Sequence, residues 1–358
     1  MSCVLGIETS CDETAVAIVG EDGRVLAEEV ASQIALHAPH GGIVPEVAAR
    51  AHLELLPELA ARVLAESGLR REDIAAVAAT TGPGLKVALV VGTAFGKALA
   101  FGWRKPFVAV HHLEAHALSV RMLADVAFPY LLLLVSGGHT QLVVVEDLGR
   151  YHALGTTIDD AAGETFDKGA RLLGLGYPGG PAIARAAIGG DPYRFDLPRP
   201  LRGATAFAFS FAGLKTALQQ RLHRLGGVEK LDAESRRDLA ASFEQAIVDV
   251  LVDRLDRALD HYRSHWRPAR PTLVAAGGVA ANERLREALC ALGQEKEVEI
   301  VVPPARYCTD NAAMVAYAGR ERLLRGWVDG LDAPVRARWP LDESRAGRLG
   351  GGRKGPKA

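Results

Sequence analysis

The chain has 358 residues, 49% of them hydrophobic and 24% charged, with a formal net charge of −1. This length and composition suit two folded domains and exclude disordered and collagenous classes, and the near-zero charge excludes a global basic field that would recruit nucleic acid indiscriminately. Four cysteines (Cys3, Cys11, Cys290 and Cys308) without CxxC spacing, and no basic-then-apolar leader, point to a reduced, cytoplasmic protein. Apolar runs such as Tyr130–Val135 fall well short of a membrane span, so no membrane partner is expected.

In chain order, residues 4–7 and 15–19 are apolar strands joined by the polar turn Thr9-Ser10-Cys11-Asp12-Glu13-Thr14. Gly20-Glu21-Asp22-Gly23 turns the chain into a third strand over 25–31. Pro45 and Glu46 suit the first turn of a helix reaching about residue 66. A strand over 74–79, the turn Gly82-Pro83-Gly84, a small-residue helix over 87–99 and a strand over 107–110 lead to a helix at His112. A similar opening recurs later: a strand over 131–135, the turn Ser136-Gly137-Gly138-His139-Thr140, a return strand over 141–145 and a third over 151–154. Helices follow over 159–172 and 235–264, then a strand over 272–276, a helix over 280–292, a strand over 298–302 and a helix over 311–324. Residues 191–216 lack a clear period and read as an irregular insertion. Two halves with the same opening predict a duplicated α/β fold, with lobes over 1–125 and 126–328 and a ligand in the cleft between them. Residues 329–358 read as a basic, flexible tail, with Arg336, Arg338, Arg345, Arg348, Arg353, Lys354 and Lys357 against Asp342 and Glu343. Such a tail is either a solvated end or an electrostatic arm for phosphates.

The chemistry concentrates in a few stretches. His112 and His116 are one helical turn apart and share a face, as a helix presents two nitrogens to one metal ion; a third ligand is available in Cys308-Thr309-Asp310-Asn311. Taken alone, an HxxxH pair is more often a packing feature. Glu114 lies about 200° around the helix from His112. That argues against a zinc protease, whose glutamate follows the first histidine directly. Two polar turns, residues 9–14 and 136–140, could hold phosphate oxygens on hydroxyls and glycine amides. Gly174-Leu175-Gly176-Tyr177-Pro178-Gly179-Gly180-Pro181 and Ala276-Gly277-Gly278-Val279-Ala280-Ala281-Asn282 are glycine loops before helices, and Asn282 offers the donor and acceptor that a ribose or base requires. Each is weak alone. Together they indicate a metal-assisted enzyme acting on a nucleotide-like substrate.

These motifs, in order over residues 4–320, resemble the bacterial tRNA N6-adenosine threonylcarbamoyltransferases, once described as O-sialoglycoprotein endopeptidases. The resemblance is carried by the segment Gly6-Ile7-Glu8-Thr9-Ser10-Cys11-Asp12-Glu13-Thr14, by Gly41-Gly42-Ile43-Val44-Pro45-Glu46, by Thr81-Gly82-Pro83-Gly84-Leu85 and by the histidine pair. Leu134-Val135-Ser136-Gly137-Gly138-His139-Thr140, Asp159-Asp160-Ala161-Ala162-Gly163-Glu164, Phe166-Asp167-Lys168 and Tyr177-Pro178-Gly179-Gly180-Pro181 continue it. Gly277-Gly278-Val279-Ala280-Ala281-Asn282 and Asp310-Asn311-Ala312-Ala313-Met314 complete it. The resemblance implies a two-lobed actin-like fold of the acetate kinase–sugar kinase–chaperone ATPase superfamily, with duplicated ribonuclease-H-like subdomains. It implies that His112, His116 and Asp310 hold one divalent metal ion, Fe2+ first and Zn2+ as the alternative. Leu134, Val135, Ser136, Gly137, Gly138, Asp167, Gly180 and Asn282 would then bind threonylcarbamoyl-AMP, with ATP a further occupant, and Asp12 and Glu13 would be an acidic pair near the phosphates. The implied reaction is threonylcarbamoyl transfer to adenosine 37 of tRNAs reading ANN codons, presented on the anticodon loop. The implied partners are an actin-like paralogue lacking the metal site and a small P-loop ATPase. Glu13 and His139 are our candidates for a catalytic base. One segment departs from the family pattern: in Ala208-Phe209-Ser210-Phe211-Ala212-Gly213-Leu214-Lys215-Thr216, alanines replace an acid and a serine. The alternatives are an ATP-dependent small-molecule kinase of the same superfamily and, from another class, a non-catalytic nucleotide-dependent scaffold.

Overall fold

The computed structural model describes residues 3–345, which divide into two compact units. The first comprises residues 3–125 and Thr309–Glu343. Its strands β1 (Cys3–Glu8), β2 (Glu13–Val19) and β3 (Val25–Ser32) form an antiparallel meander, with Leu5 opposite Ile18 and Ala15 opposite Val30. A short helix α1 (Ile34–His37), which has no signal in the sequence period, precedes α2 (Pro45–Ser67). Strand β4 (Ile74–Gly82) then pairs parallel to β1. Helix α3 (Lys86–Trp103) leads to β5 (Phe107–His111), parallel to β4, and α4 (His112–Ser119) follows at once. The sheet order is β3-β2-β1-β4-β5. β1 is buried along its whole length, which explains its unbroken apolar run rather than an alternating one. Among the described residues, α3 alone is long and apolar enough to cross a membrane. It packs on β4 and α2, and its Lys97 Nζ donates to Ala333 O at 2.6 Å.

The second unit comprises Val126–Cys308. Strands β6 (Tyr130–Val135), β7 (Thr140–Asp147) and β8 (Arg150–Thr156) again form an antiparallel meander. Helices α5 (Ala162–Leu172), α6 (Gly179–Ala187), α7 (Ala212–Arg224) and the 34-residue α8 (Ala233–Trp266) follow. Strand β9 (Thr272–Ala276) pairs parallel to β6; after α9 (Glu283–Lys296), β10 (Glu299–Val301) pairs parallel to β9, and α10 (Ala305–Cys308) closes the unit. The order β10-β9-β6-β7-β8 repeats that of the first sheet, direction for direction. The duplication is therefore present at the level of strand topology. Its core gathers Phe166, Phe209, Phe211, Phe243 and Tyr262 beneath the sheet. Residues 191–211 form no helix or strand, but 212–216, expected in the insertion, begin α7, whose Leu214, Leu218 and Leu222 are its buried stripe.

The chain then returns to the first unit. Helix α11 (Ala312–Leu324), expected in the second lobe, packs on β1 and β4 instead. The contact is backbone-close: a Cβ on Gly6 would lie 2.5 Å from Ala316 N and 2.6 Å from Ala312 O. Only small residues permit that approach. Residues 329–343, expected in the flexible tail, are instead tied to the first unit. Asp329 N donates to Phe107 O at 2.9 Å, Ala109 N to Asp329 Oδ2 at 2.8 Å, and Arg336 N to Thr81 O at 2.8 Å. Arg336 Nη1 donates to Glu343 Oε1 at 3.2 Å. Arg348, Arg353, Lys354 and Lys357 lie outside the described residues.

Candidate functional site

In the first unit β5 passes into α4 without a loop. His111 makes this possible by capping the helix: its Nδ1 accepts from Leu113 N at 3.1 Å, and its Nε2 lies 2.9 Å from Trp339 O. His112 and His116 then fall on one face, ring centroids 4.7 Å apart and planes at 87°. Asp310, in the turn before α11, brings Oδ1 to 3.0 Å from His116 Nε2 and 3.6 Å from His112 Nε2. The three donor atoms lie within 4.8 Å of one another. Behind them stands a residue that the sequence reading passed over. Glu8 is fully buried, and its Oε2 lies 3.2 Å from His112 Nδ1. It also accepts from Ser10 N at 2.5 Å and Thr80 Oγ1 at 2.6 Å. Its signal was available: a carboxylate ending an otherwise apolar buried strand needs a partner.

This donor set fits a divalent metal. Two imidazoles and one carboxylate suit Fe2+ or Zn2+, and a carboxylate on the far nitrogen of a ligating histidine fixes the ring and its tautomer. Burial opposes a charge on His112, but the carboxylates of Asp310 and Glu8 outweigh it and hold its pKa up at about 9. Glu114 points elsewhere: its Oε1 accepts from Arg322 Nη1 at 3.0 Å.

Beside this group, burial and then the like charge of Asp310 and Asp12 raise the Glu13 carboxyl to about 10. In this arrangement Glu13 carries a proton at neutral pH and offers an O–H; a cation next to Asp310 acts in the opposite sense. The loop before Glu13 is held from below, with His52 Nδ1 2.7 Å from Thr14 Oγ1 and His52 Nε2 3.1 Å from Cys11 O. Burial first and Asp12 next push the Cys11 thiol well above the usual range, which disfavours its thiolate.

In the second unit β6 ends in the turn 136–140, closed by Ser136 N donating to His139 O at 2.8 Å and His139 N to Ser136 Oγ at 3.2 Å. The N-terminus of α5 docks on it: Gly163 N donates to Ser136 O at 3.3 Å and Glu164 N to Gly137 O at 3.1 Å. A Cβ on Gly163 would lie 2.6 Å from Ser136 O. On their other side Gly137, Gly138 and also Gly180 face open space, with nothing within 4 Å of where a Cβ would be. Asp167 Oδ1 accepts from Gly179 N at 2.7 Å and so fixes the start of α6 next to Gly180. Leu134 and Val135 are wholly buried, so their side chains belong to the core. Leu134 lies opposite Ala276, which brings the ends of β6 and β9 side by side, the edge at which parallel α/β sheets bind ligands. Asn282 caps α9, its Oδ1 accepting from Leu285 N at 2.9 Å and its Nδ2 donating to Glu244 Oε1 at 2.6 Å. Each end of the Asn282 amide thus already has one partner, which orients it and leaves its second N–H directed away from Glu244. Asp159, expected inside a helix, lies ahead of α5 and instead receives Phe211 N at 2.7 Å, Ala212 N at 3.2 Å and Ser210 Oγ at 2.5 Å, capping α7. The one serine left in the departing segment therefore has a structural partner.

A family model described as tRNA N6-adenosine threonylcarbamoyltransferase matches residues 24–317. The chain belongs to this family. It is 53% identical to the tRNA N6-adenosine threonylcarbamoyltransferase of Brucella anthropi and 54% identical to that of Brucella canis, covering 99% of each chain in both comparisons. The protein is accordingly a transferase. Among solved structures it is similar to component A of the (R)-2-hydroxyglutaryl-CoA dehydratase of Acidaminococcus fermentans, with TM-score 0.52 and 16% identity over 90% of this chain and 100% of that one. It is also similar to HypF of T. kodakarensis, with TM-score 0.58 and 14% identity over 91% of this chain and 48% of that one. These likenesses establish the actin-like fold that the repeated sheet order displays.

Proposed function

We propose that the protein transfers the threonylcarbamoyl group of threonylcarbamoyl-AMP to N6 of adenosine 37 in tRNAs reading ANN codons, releasing AMP. The adenosine N6 attacks the carbamoyl carbon, an N–C bond forms, the C–O bond to phosphate breaks, and N6 loses one proton. The observation that carries this reading is the convergence of His112, His116 and Asp310, buttressed by Glu8, in a chain of this family. A divalent ion held there, Fe2+ or alternatively Zn2+, supplies a Lewis acid able to orient and polarise a carbonyl. The protein's own groups do the rest. The exposed Gly137 and Gly138 amides offer donors to the anhydride's phosphate or its developing charge. Gly180, held by the Asp167–Gly179 contact, lets the donor approach the backbone closely, and Asn282 contributes an N–H. For the N6 proton, His139 and Glu13 are the candidate bases; a cation beside Asp310 would offset the like charge that helps to keep Glu13 protonated. ATP is a second ligand for the same loops. An adenine at N6 depth must leave its stack, so the anticodon loop presents it splayed. We further propose cytoplasmic action together with an actin-like paralogue lacking the metal site and a small P-loop ATPase.

The test combines purified protein, synthetic threonylcarbamoyl-AMP, unmodified tRNA and the two partner proteins, with nucleosides read by mass spectrometry. Threonylcarbamoyladenosine should form, and His116→Ala should lose both bound metal and product. Product formation by a metal-free His116→Ala protein would refute the metal assignment; absence of product with an active control enzyme would refute the reaction.

A further inference from the structure

Asn282 does not stand alone. Its Nδ2 donates to Glu244 Oε1 at 2.6 Å, while its Oδ1 receives Leu285 N at 2.9 Å. Glu244 is buried on α8, and its second oxygen accepts from Arg284 Nε at 3.1 Å. Arg284 Nη1 continues to Gln245 Oε1 at 2.8 Å, Gln245 Nε2 to Asp249 Oδ1 at 2.7 Å, and Asp249 Oδ2 accepts from Arg199 Nε at 2.9 Å. An isolated asparagine amide can present either end, since its N and O have nearly the same shape. A carboxylate only accepts, so the nitrogen must face Glu244. The helix N-terminus only donates, so the oxygen must face Leu285. Both constraints select one orientation and leave a single uncommitted polar hydrogen, the second N–H of Asn282.

We infer that Glu244 is a positioning residue that locks the Asn282 amide as a hydrogen-bond donor toward an acceptor on the adenosine part of the substrate, such as a ribose oxygen or a ring nitrogen. This rests on the reading of Asn282 as a substrate-binding residue. The arrangement explains a carboxylate at a position where an apolar residue would pack at lower desolvation cost. A glutamine there has one acceptor oxygen for two donors; the charged Arg284 Nε–H is the stronger claimant, which leaves the glutamine NH2 against the Asn282 NH2, donor against donor, or forces the Asn282 amide to flip and sacrifice the α9 cap.

The test is a double-mutant cycle on the full-length protein, with AMP binding measured by calorimetry. Asn282→Ala and Glu244→Gln should each weaken AMP binding about tenfold, the effect of one lost or misdirected buried hydrogen bond. The double variant should bind no worse than Asn282→Ala alone. In transfer assays KM for the adenylate should rise with kcat unchanged, as loss of uniform binding requires. Wild-type affinity in Glu244→Gln, or additive losses in the double variant, would overturn the inference. Wild-type affinity in Asn282→Ala would instead overturn the assignment of Asn282, and the inference with it. If Glu244→Gln does not fold, the exchanged pair Asn282→Asp with Glu244→Gln restores the hydrogen bond with donor and acceptor swapped. That protein should melt like the wild type yet bind AMP weakly, because a carboxylate at position 282 has no hydrogen to donate to the ligand; tight AMP binding by it would refute the donor role.

Discussion

The Glu8→Gln substitution isolates the role of the carboxylate behind the histidine pair. It keeps side-chain volume in a fully buried position and removes only charge and acceptor capacity. Glu8 accepts from Ser10 N at one oxygen and meets Thr80 Oγ1 and His112 Nδ1 at the other. If the glutamine NH2 takes the first position, it faces an N–H and two donors collide. If it takes the second, Thr80 can rotate its hydroxyl and accept, but His112 Nδ1 must accept as well. The ring then carries its proton on Nε2, the nitrogen that faces Asp310 and that would have to be bare to ligate a metal ion. Either outcome leaves a buried group mispaired or the ring in the wrong tautomer, at about 1–3 kcal/mol. Each 1.4 kcal/mol is about tenfold in affinity, so Zn2+ affinity should fall roughly 10–100-fold. Competition with a chromogenic chelator at constant pH measures this directly, with His112→Ala as the reference for complete loss. A folded Glu8→Gln protein with wild-type Zn2+ affinity would refute the argument that Glu8 sets the tautomer of His112.

Three further outcomes are expected. Asp159→Ala removes the acceptor for Ser210 Oγ, Phe211 N and Ala212 N at the start of α7; it should cost about 1–2 kcal/mol in urea unfolding. An unchanged midpoint would show that α7 does not depend on this cap. Tyr262 is fully buried and donates to Pro129 O at 2.8 Å; burial pushes its phenol up to about 12 from 10.0. Its neutral form is favoured by folding, so its contribution, about 2–3 kcal/mol, is complete below pH 10 and lost as pH rises toward 12. Tyr262→Phe should therefore flatten the fall in unfolding free energy between pH 10 and 12, and a parallel curve would contradict this. Stripping metal with a strong chelator should abolish transfer while leaving the far-ultraviolet circular dichroism unchanged, and adding back Fe2+ or Zn2+ should reveal which ion restores it; full activity after verified removal would exclude a catalytic metal.

Much of this fold is legible in the chain because its strands are flanked by glycine turns and a helix start such as Pro45-Glu46 is strong; the cap of α8 at Asp232 shows only in the structure. Most elements that escaped have tertiary signals, but α7 escaped although Leu214, Leu218 and Leu222 recur every four residues along it. α11 has the period of an ordinary helix, and only the fit of Gly6 against Ala316 shows that it covers the first sheet. The segment Asp329–Glu343 is charged and aperiodic, yet backbone bonds to Phe107 and Thr81 hold it in place. In the site, the i,i+4 histidines were evident from helical geometry, but Glu8 and Glu244 were not. Both act through a side chain distant in sequence, from His112 by 104 residues and from Asn282 by 38. A sequence shows which groups can ligate or donate; the acceptors that orient them emerge only when strands and helices bring them together.

The duplicated topology sharpens this point. The β1–β2 turn and the β6–β7 turn occupy the same place in two sheets of identical order. In the first unit that turn carries Asp12 and Glu13, and the strand leading into it ends at Glu8, so it is rich in carboxylates beside a pair of imidazoles. In the second it is Ser136-Gly137-Gly138-His139, free of acids and open above both glycines. Carboxylates suit a cation and repel phosphate; bare glycine amides suit an anion and cannot hold a metal. One backbone feature has thus been given opposite electrostatics in its two copies. Within each unit the turn suits one kind of partner, a cation in the first and an anionic group in the second, a division that neither a metalloprotease nor a simple phosphate-binding domain would need.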